Sequence, residues 1–246
     1  MTSTQCMDTS NQRKKAVVTG STKGLGLAIA QQLAGAGYDV FLGGRNEEEL
    51  KAVAAQLDKN NAGTHAAYAT ADLSSKTAVM QYAEAVHQWS AHLDVLVNNA
   101  GIYLPGDVTT EEDGRLEKLI ETNLYSAYHL SRALLPQIRR SQSAHIINIC
   151  SIASLEAYPG GGSYSISKFA LLGFNKALRA ELMQEGIKVS AILPGAAWSD
   201  SWKGVDLPNE RLMQATDVAK AVMACLSMSP SACVEELLLR PQLGDL

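Results

Sequence analysis

Short continuous apolar runs alternate with stretches of helical period along nearly the whole of this chain. Residues 16–18 read as a strand, and residues 24–36 then place Leu25, Ile29 and Leu33 four apart, on one helix face. Further strand patterns fall at 38–42, 65–70, 93–97, 144–150, 187–193 and 234–239. Helical patterns lie between them at 47–57, 76–89, 116–138, 164–183 and 215–226. Strands separated by helices need crossover connections, which parallel pairing requires. Strands of such a sheet are covered on both faces, which explains unbroken runs such as Val95-Leu96-Val97 and Ile146-Ile147. The pattern predicts a doubly wound, mostly parallel seven-stranded α/β sheet with helices on both faces.

The 246 residues hold no internal repeat and no Pro/Ser-rich linker, so one domain over 14–246 is expected. Residues 1–13 read as a flexible polar arm without the apolar stretch of a secretion signal. Apolar residues make up 46% and charged residues 19%, which excludes a disordered chain. A net charge of −4 provides no broad positive field and argues against nucleic acid as a partner. No apolar run approaches the ~18 residues of a membrane span. The cysteines (Cys6, Cys150, Cys225, Cys233) lack Cys-x-x-Cys spacing and fit a reducing, cytoplasmic compartment. The five histidines share no metal-ligand spacing, and no metal is expected.

In a sheet of this kind ligands sit outside the carboxyl ends of the strands. After the first strand comes Thr19-Gly20-Ser21-Thr22-Lys23-Gly24-Leu25-Gly26, then a helix. Glycines there permit a tight turn and let backbone N–H groups approach a pyrophosphate at a helix N-terminus. A strand–turn–helix corner also uses glycine for geometry alone. At the end of the second strand, where a carboxylate would select NAD, stand Gly44, Arg45 and Asn46. Arginine suits a 2′-phosphate, and Lys23 adds a second cation, so NADP(H) is expected. Asp72-Leu73 follows the third strand, where an Asp could bond the adenine amino group or simply turn the chain. Asn98-Asn99-Ala100-Gly101 follows the fourth, in a place that suits both a ribose and a turn.

Ser151 ends a buried strand, and Tyr164-Ser165-Ile166-Ser167-Lys168 opens a helix. Tyr164 and Lys168 therefore lie one turn apart on one face. An ammonium near a phenol favours the phenolate, and a phenol so tuned can protonate a carbonyl oxygen as hydride reaches the carbon. Alone, Tyr-x-x-x-Lys is ordinary helix decoration.

Taken in order, the glycine turn over 19–26, Asp72-Leu73, Asn98-Asn99-Ala100-Gly101, Asn123, Ser151, Tyr164-x-x-x-Lys168 and Pro194-Gly195 resemble the motifs of the short-chain dehydrogenase/reductase family. The resemblance covers residues 16–239 and implies a single-domain Rossmann-type fold. It implies that Tyr164 is the general acid/base, that Ser151 holds the substrate oxygen, and that Lys168 grips the nicotinamide ribose and supports Tyr164. Asn123 would anchor a water of a proton relay. Pro194, Gly195, Ala197 and Ser199 would line the carboxamide, with Ser199 standing where the family usually has Thr.

Substrate choice would fall to Tyr103, to Leu155 and the residues up to 162, and to a loop over 196–210 carrying Trp198 and Trp202. Two indoles suit a flat apolar or aromatic carbonyl compound, or pack the loop onto the body. This loop and the ending over 235–246 resemble bacterial sepiapterin-reductase-like members. The expected function is NADPH-dependent reduction of a ketone or aldehyde. The alternatives are a pteridine carbonyl reductase, a 3-oxoacyl-thioester reductase, which should need a basic entrance denser than Arg139-Arg140, and an NADP(H)-sensing regulator. The resemblance further implies homodimers or homotetramers built on the helices from Leu116 and Tyr164, with the last strand as another contact.

Overall fold

The computed structural model describes residues 13–199 and 204–245. In β1 (Lys15–Thr19) both faces are buried: Ala16 and Val18 enter one apolar layer and Val17 the other. The remaining strands are β2 (Asp39–Gly44), β3 (Ala66–Thr70), β4 (Val95–Asn98), β5 (His145–Ile149), β6 (Lys188–Pro194) and β7 (Glu236–Leu239). They form one seven-stranded sheet in the order 3-2-1-4-5-6-7. Every pairing is parallel, so the sheet is parallel throughout. The strand order reverses between β1 and β4, which opens a crevice above their carboxyl ends.

The helices are α1 (Gly24–Gly35), α2 (Glu47–Asn60), α3 (Lys76–Trp89), α4 (Arg115–Ile120), α5 (Ser126–Ile138), α6 (Gly162–Leu182) and α7 (Ala215–Leu226). α1, α2 and α7 pack on one face of the sheet, and α3, α5 and α6 on the other. Fully buried side chains such as Leu33, Leu42, Leu96 and Ile146 anchor these layers, each by roughly 1.5–3 kcal/mol of transfer free energy.

The continuous helix expected over 116–138 is not one regular helix. A π-turn, Glu121–Tyr125, joins α4 to α5. The apolar period gives no sign of it, because side-chain bonds impose it: Asn123 is 1% exposed and bonds the main chain of Ile102. On the β4–β5 side of the crevice lies a buried amide chain. Asn98 Nδ2 donates to Ser131 Oγ and Asn148 Oδ1, both at 2.9 Å, and Asn148 Nδ2 donates to Asn175 Oδ1 at 2.8 Å. The chain links α5, β4, β5 and α6, with Asn98 Oδ1 its one buried atom lacking a partner among the described residues.

Of the polar arm expected over 1–13, only Arg13 is among the described residues; it is exposed and stands 3.8 Å from Asp39. Among the described residues no helix is long and apolar enough to cross a membrane, and no cluster could hold a metal ion.

Candidate active site

The glycine turn sits where β1 meets α1. Gly20 and Gly24 have φ of +63° and +55°, which side chains rarely tolerate. A Cβ on Gly26 would lie 2.1 Å from Gly20 O and 2.5 Å from Asn99 Nδ2, so only glycine lets α1 start this close to the turn. Asn99 bridges the two loops, its Nδ2 donating to Thr19 O at 2.9 Å and Gly20 O at 3.1 Å. Thr19 Oγ1 accepts the N–H groups of Asn99 and Ala100, each at 2.9 Å.

Ser21 does not face the crevice. Its N–H and hydroxyl are both committed to Gly43 O, so it staples the turn to β2 in place of the phosphate contact expected of it. Thr22 packs toward Gly44, and Leu25 packs against the core. Lys23, at the N-cap of α1, and Arg45, past β2, are exposed. Asn46 Oδ1 accepts the Glu49 N–H at 3.2 Å, so this side chain caps α2. Asp72 is exposed and accepts both the hydroxyl and the N–H of Ser74. Those bonds, with the Arg45 charge nearby, hold its carboxyl below the usual range. Leu73 is buried in the apolar layer. The Ser74 bonds that turn the chain thus use one oxygen of the Asp72 carboxylate.

Of the four residues expected to be catalytic, Asn123 and Lys168 approach each other beside Gly101, with the Tyr164 ring next to Lys168. Lys168 is 6% exposed; its Nζ donates to Ile149 O at 3.0 Å and lies 5.9 Å from the centre of the Tyr164 ring. A Cβ on Gly101 would stand 3.7 Å from that Nζ and 3.2 Å from Asn123 Oδ1. Asn123 Nδ2 donates to Ser167 Oγ at 2.9 Å, and Ser167 Oγ donates to Tyr164 O at 2.7 Å. The side chain of Asn123 is thus taken up by Ile102 and Ser167. Ser151 Oγ accepts the Ala153 N–H at 3.1 Å, which leaves its own proton free to be donated. Cys150, beside it in sequence, is buried, and burial pushes its thiol up to about 11.

At the mouth, the Tyr103 ring lies against that of Tyr164, and Leu155 is exposed. Burial and then Tyr103 hold the Tyr158 phenol above its ordinary range, which puts a third phenol at this rim. Tyr158 lies in the 155–162 segment and Thr19 opens the glycine motif, whereas sequence reading gave Ser167 no role although its helical spacing from Tyr164 marks it. Across the crevice, Gly24 and Ser199 face each other, with 3.9 Å from a Cβ on Gly24 to the Ser199 Cβ. Gly195 N–H donates to Leu239 O at 2.7 Å, and Ala197 bridges to Met213. The Trp198 indole donates to Asn209 O at 2.8 Å, which ties the loop to itself. Trp202 lies outside the described residues.

A family model described as short chain dehydrogenase matches residues 14–208. An uncharacterized oxidoreductase of Staphylococcus epidermidis is 32% identical over 230 residues, covering 94% of this chain and 98% of that protein. The 3-oxoacyl-[acyl-carrier-protein] reductase of Haemophilus influenzae is 33% identical over 221 residues, covering 86% and 89%. The structure of an alcohol dehydrogenase from the archaeon Thermococcus sibiricus, complexed with 5-hydroxy-NADP, superposes with a TM-score of 0.87 at 27% identity, covering 96% of this chain and 99% of that one. The chain belongs to the short-chain dehydrogenase/reductase family and is an oxidoreductase of that family.

Proposed function

We propose that the protein is an NADPH-dependent carbonyl reductase, turning a ketone or aldehyde into an alcohol. The observation that carries this reading is Lys168, a buried ammonium beside the Tyr164 ring with a main-chain oxygen as its protein acceptor. An ammonium has three protons, and a ribose diol would satisfy the others.

The residues present fit a dinucleotide. The glycine turn is a cradle that a Cβ on Gly26 would fill, and Gly24 faces Ser199 across it. Lys23 and Arg45 supply positive charge where a 2′-phosphate would lie, and the Thermococcus relative is a complex with an NADP derivative. Gly20, Thr22, Gly24, Asn99, Ala100, Gly101, Pro194, Gly195, Ala197 and Ser199 would complete the cradle.

Reduced nicotinamide, when bound, supplies the hydride. Tyr164 gives its phenolic proton to the substrate oxygen, and Lys168 stabilises the phenolate left behind. Ser151 donates its free proton to the same oxygen and fixes its position. With the side chain of Asn123 occupied, its main-chain carbonyl in the π-turn is the proposed anchor for the relaying water. Homodimers or homotetramers remain the expected assembly, to be read by light scattering.

The test is NADPH consumption over a panel comprising an aromatic diketone (phenanthrenequinone), a pteridine ketone, a sugar ketone and an acetoacetyl thioester. Tyr164→Phe should lower turnover by roughly 10²–10⁴-fold while NADPH binding persists; wild-type turnover in that variant would sink the reading. The Haemophilus relative favours a thioester reductase as second reading. Against it, Arg139 pairs with Glu185 and Arg140 bonds Ala91 O, ahead of β5 and at the opposite end of the sheet from the crevice. Acetoacetyl thioester turned over far faster than free ketones would promote that reading. NADPH binding without turnover on any carbonyl would point to a regulator.

A further inference from the structure

The first turn of α6 carries Tyr164 but begins at Gly161, which has no side chain to cap it. The cap comes from 52 residues upstream. The Glu111 carboxylate accepts the Ser163 hydroxyl in a short hydrogen bond and stands 3.5 Å from the Ser163 N–H. Ser163 is 1% exposed, so this is an inward contact. A carboxylate at this place also suits the positive end of a 21-residue helix.

The contact belongs to a zipper between two loops. Gly106 N–H donates to Gly160 O, and Gly160 N–H donates to Asp107 Oδ1, each at 2.9 Å. Glu111 N–H donates to Asp107 O at 2.9 Å. A Cβ on Gly162 would lie 2.2 Å from Gly106 O and 3.0 Å from Glu111 Oε2, so the loops touch with no room for a side chain between them. The upstream loop starts at Ile102, held by Asn123, and includes Tyr103, which lies against Tyr164. Glu111 therefore closes a ring of contacts running through Asn123, Ile102 and Tyr103 back to Tyr164.

We infer that Glu111, through Ser163, is a positioning residue for Tyr164, setting where the phenol meets the substrate oxygen. This rests on Tyr164 being the proton donor. Misplacement by about 1 Å costs on the order of a hundredfold in rate. The experiment uses the full chain with NADPH and whichever carbonyl of the panel turns over fastest. Glu111→Ala and Ser163→Ala should each lower kcat by about 10- to 100-fold while NADPH affinity stays within about twofold. The double variant should fall no further than the lower single, because both remove one interaction. Glu111→Gln, which keeps an acceptor oxygen, should recover kcat to within about threefold of wild type. Three results would overturn the inference: Glu111→Ala with kcat within about twofold of wild type, losses that multiply in the double variant, or NADPH affinity falling in step with kcat. Tyr164→Phe run alongside separates the two failures. Full activity there removes the proton-donor reading itself, whereas a dead Tyr164→Phe beside an unaffected Glu111→Ala removes only the role of Glu111.

Discussion

The Tyr103 ring stands edge-on to the Tyr164 ring, with 4.9 Å between centroids and 87° between planes. An edge-to-face pair of this geometry is worth about 0.5–1.5 kcal/mol beyond its buried area. Tyr103 is also partly exposed, so on the proposed mechanism it both steadies the proton donor and borders the substrate. Tyr103→Ala should lower kcat/KM by about tenfold, within the range such pairs support, and Tyr103→Phe should stay near wild type because the ring remains. Steady-state kinetics on both variants check this, and equal losses would assign the effect to the hydroxyl.

Arg45 is exposed past the end of β2, and its charge reaches Asp72. If it pairs with a 2′-phosphate, Arg45→Asp exchanges a charge-assisted bond for repulsion. The ratio of kcat/KM for NADPH over NADH should fall by about 10- to 100-fold, as loss of a bond worth roughly 1.5–3 kcal/mol requires. An unchanged ratio would remove Arg45 from the phosphate site.

Gly26→Ala tests the cradle. The added methyl would meet Gly20 O at 2.1 Å and the Asn99 amide at 2.5 Å, the first backbone and the second held by its bonds to Thr19 O and Gly20 O. Forcing it in should cost about 1–3 kcal/mol of stability and weaken NADPH binding as the Asn99 bridge opens. Urea unfolding and a fluorescence titration measure the two effects. Unchanged values in both would mean that α1 can retreat without loss.

His145 gives a pH dependence. It is 3% exposed, its Nε2 lies 2.7 Å from Ser190 Oγ, and burial, then the Lys188 charge, lower its pKa to about 4. The unfolded value is near 6.5, so the unfolded chain binds the proton first. Stability is therefore unaffected above pH 6.5 and is lost as pH falls from 6.5 toward 4, by up to roughly 3 kcal/mol. Urea midpoints of wild type and His145→Gln between pH 7 and 4 should converge as the wild type weakens. Parallel pH curves for the two proteins would exclude His145 as the source.

Much of this was legible in the chain. The bounds of α3 and α7 follow directly from the apolar period, and Tyr164 and Lys168 are neighbours by helical spacing alone. What escaped the sequence was set by long-range bonds. The π-turn at Asn123 answers to Ile102, 21 residues away, and the cap of α6 answers to Glu111. Trp198 was readable as pocket or as packing, and only the position of Asn209 O decides that its indole N–H stays within the loop. Ser21 lies in a motif that suggests phosphate, yet Gly43 claims both its donors.

The amide chain through Asn98, Asn148 and Asn175 bears on how the strands find their alignment. Sliding β5 by one position would turn Asn148 to the opposite face and break its bonds to both amide neighbours, leaving Asn98 only Ser131 and Asn175 Oδ1 without its donor. Apolar strands such as β4 and β5 could otherwise tolerate a shift. Three asparagines thus act as a key that admits a single threading of the central sheet.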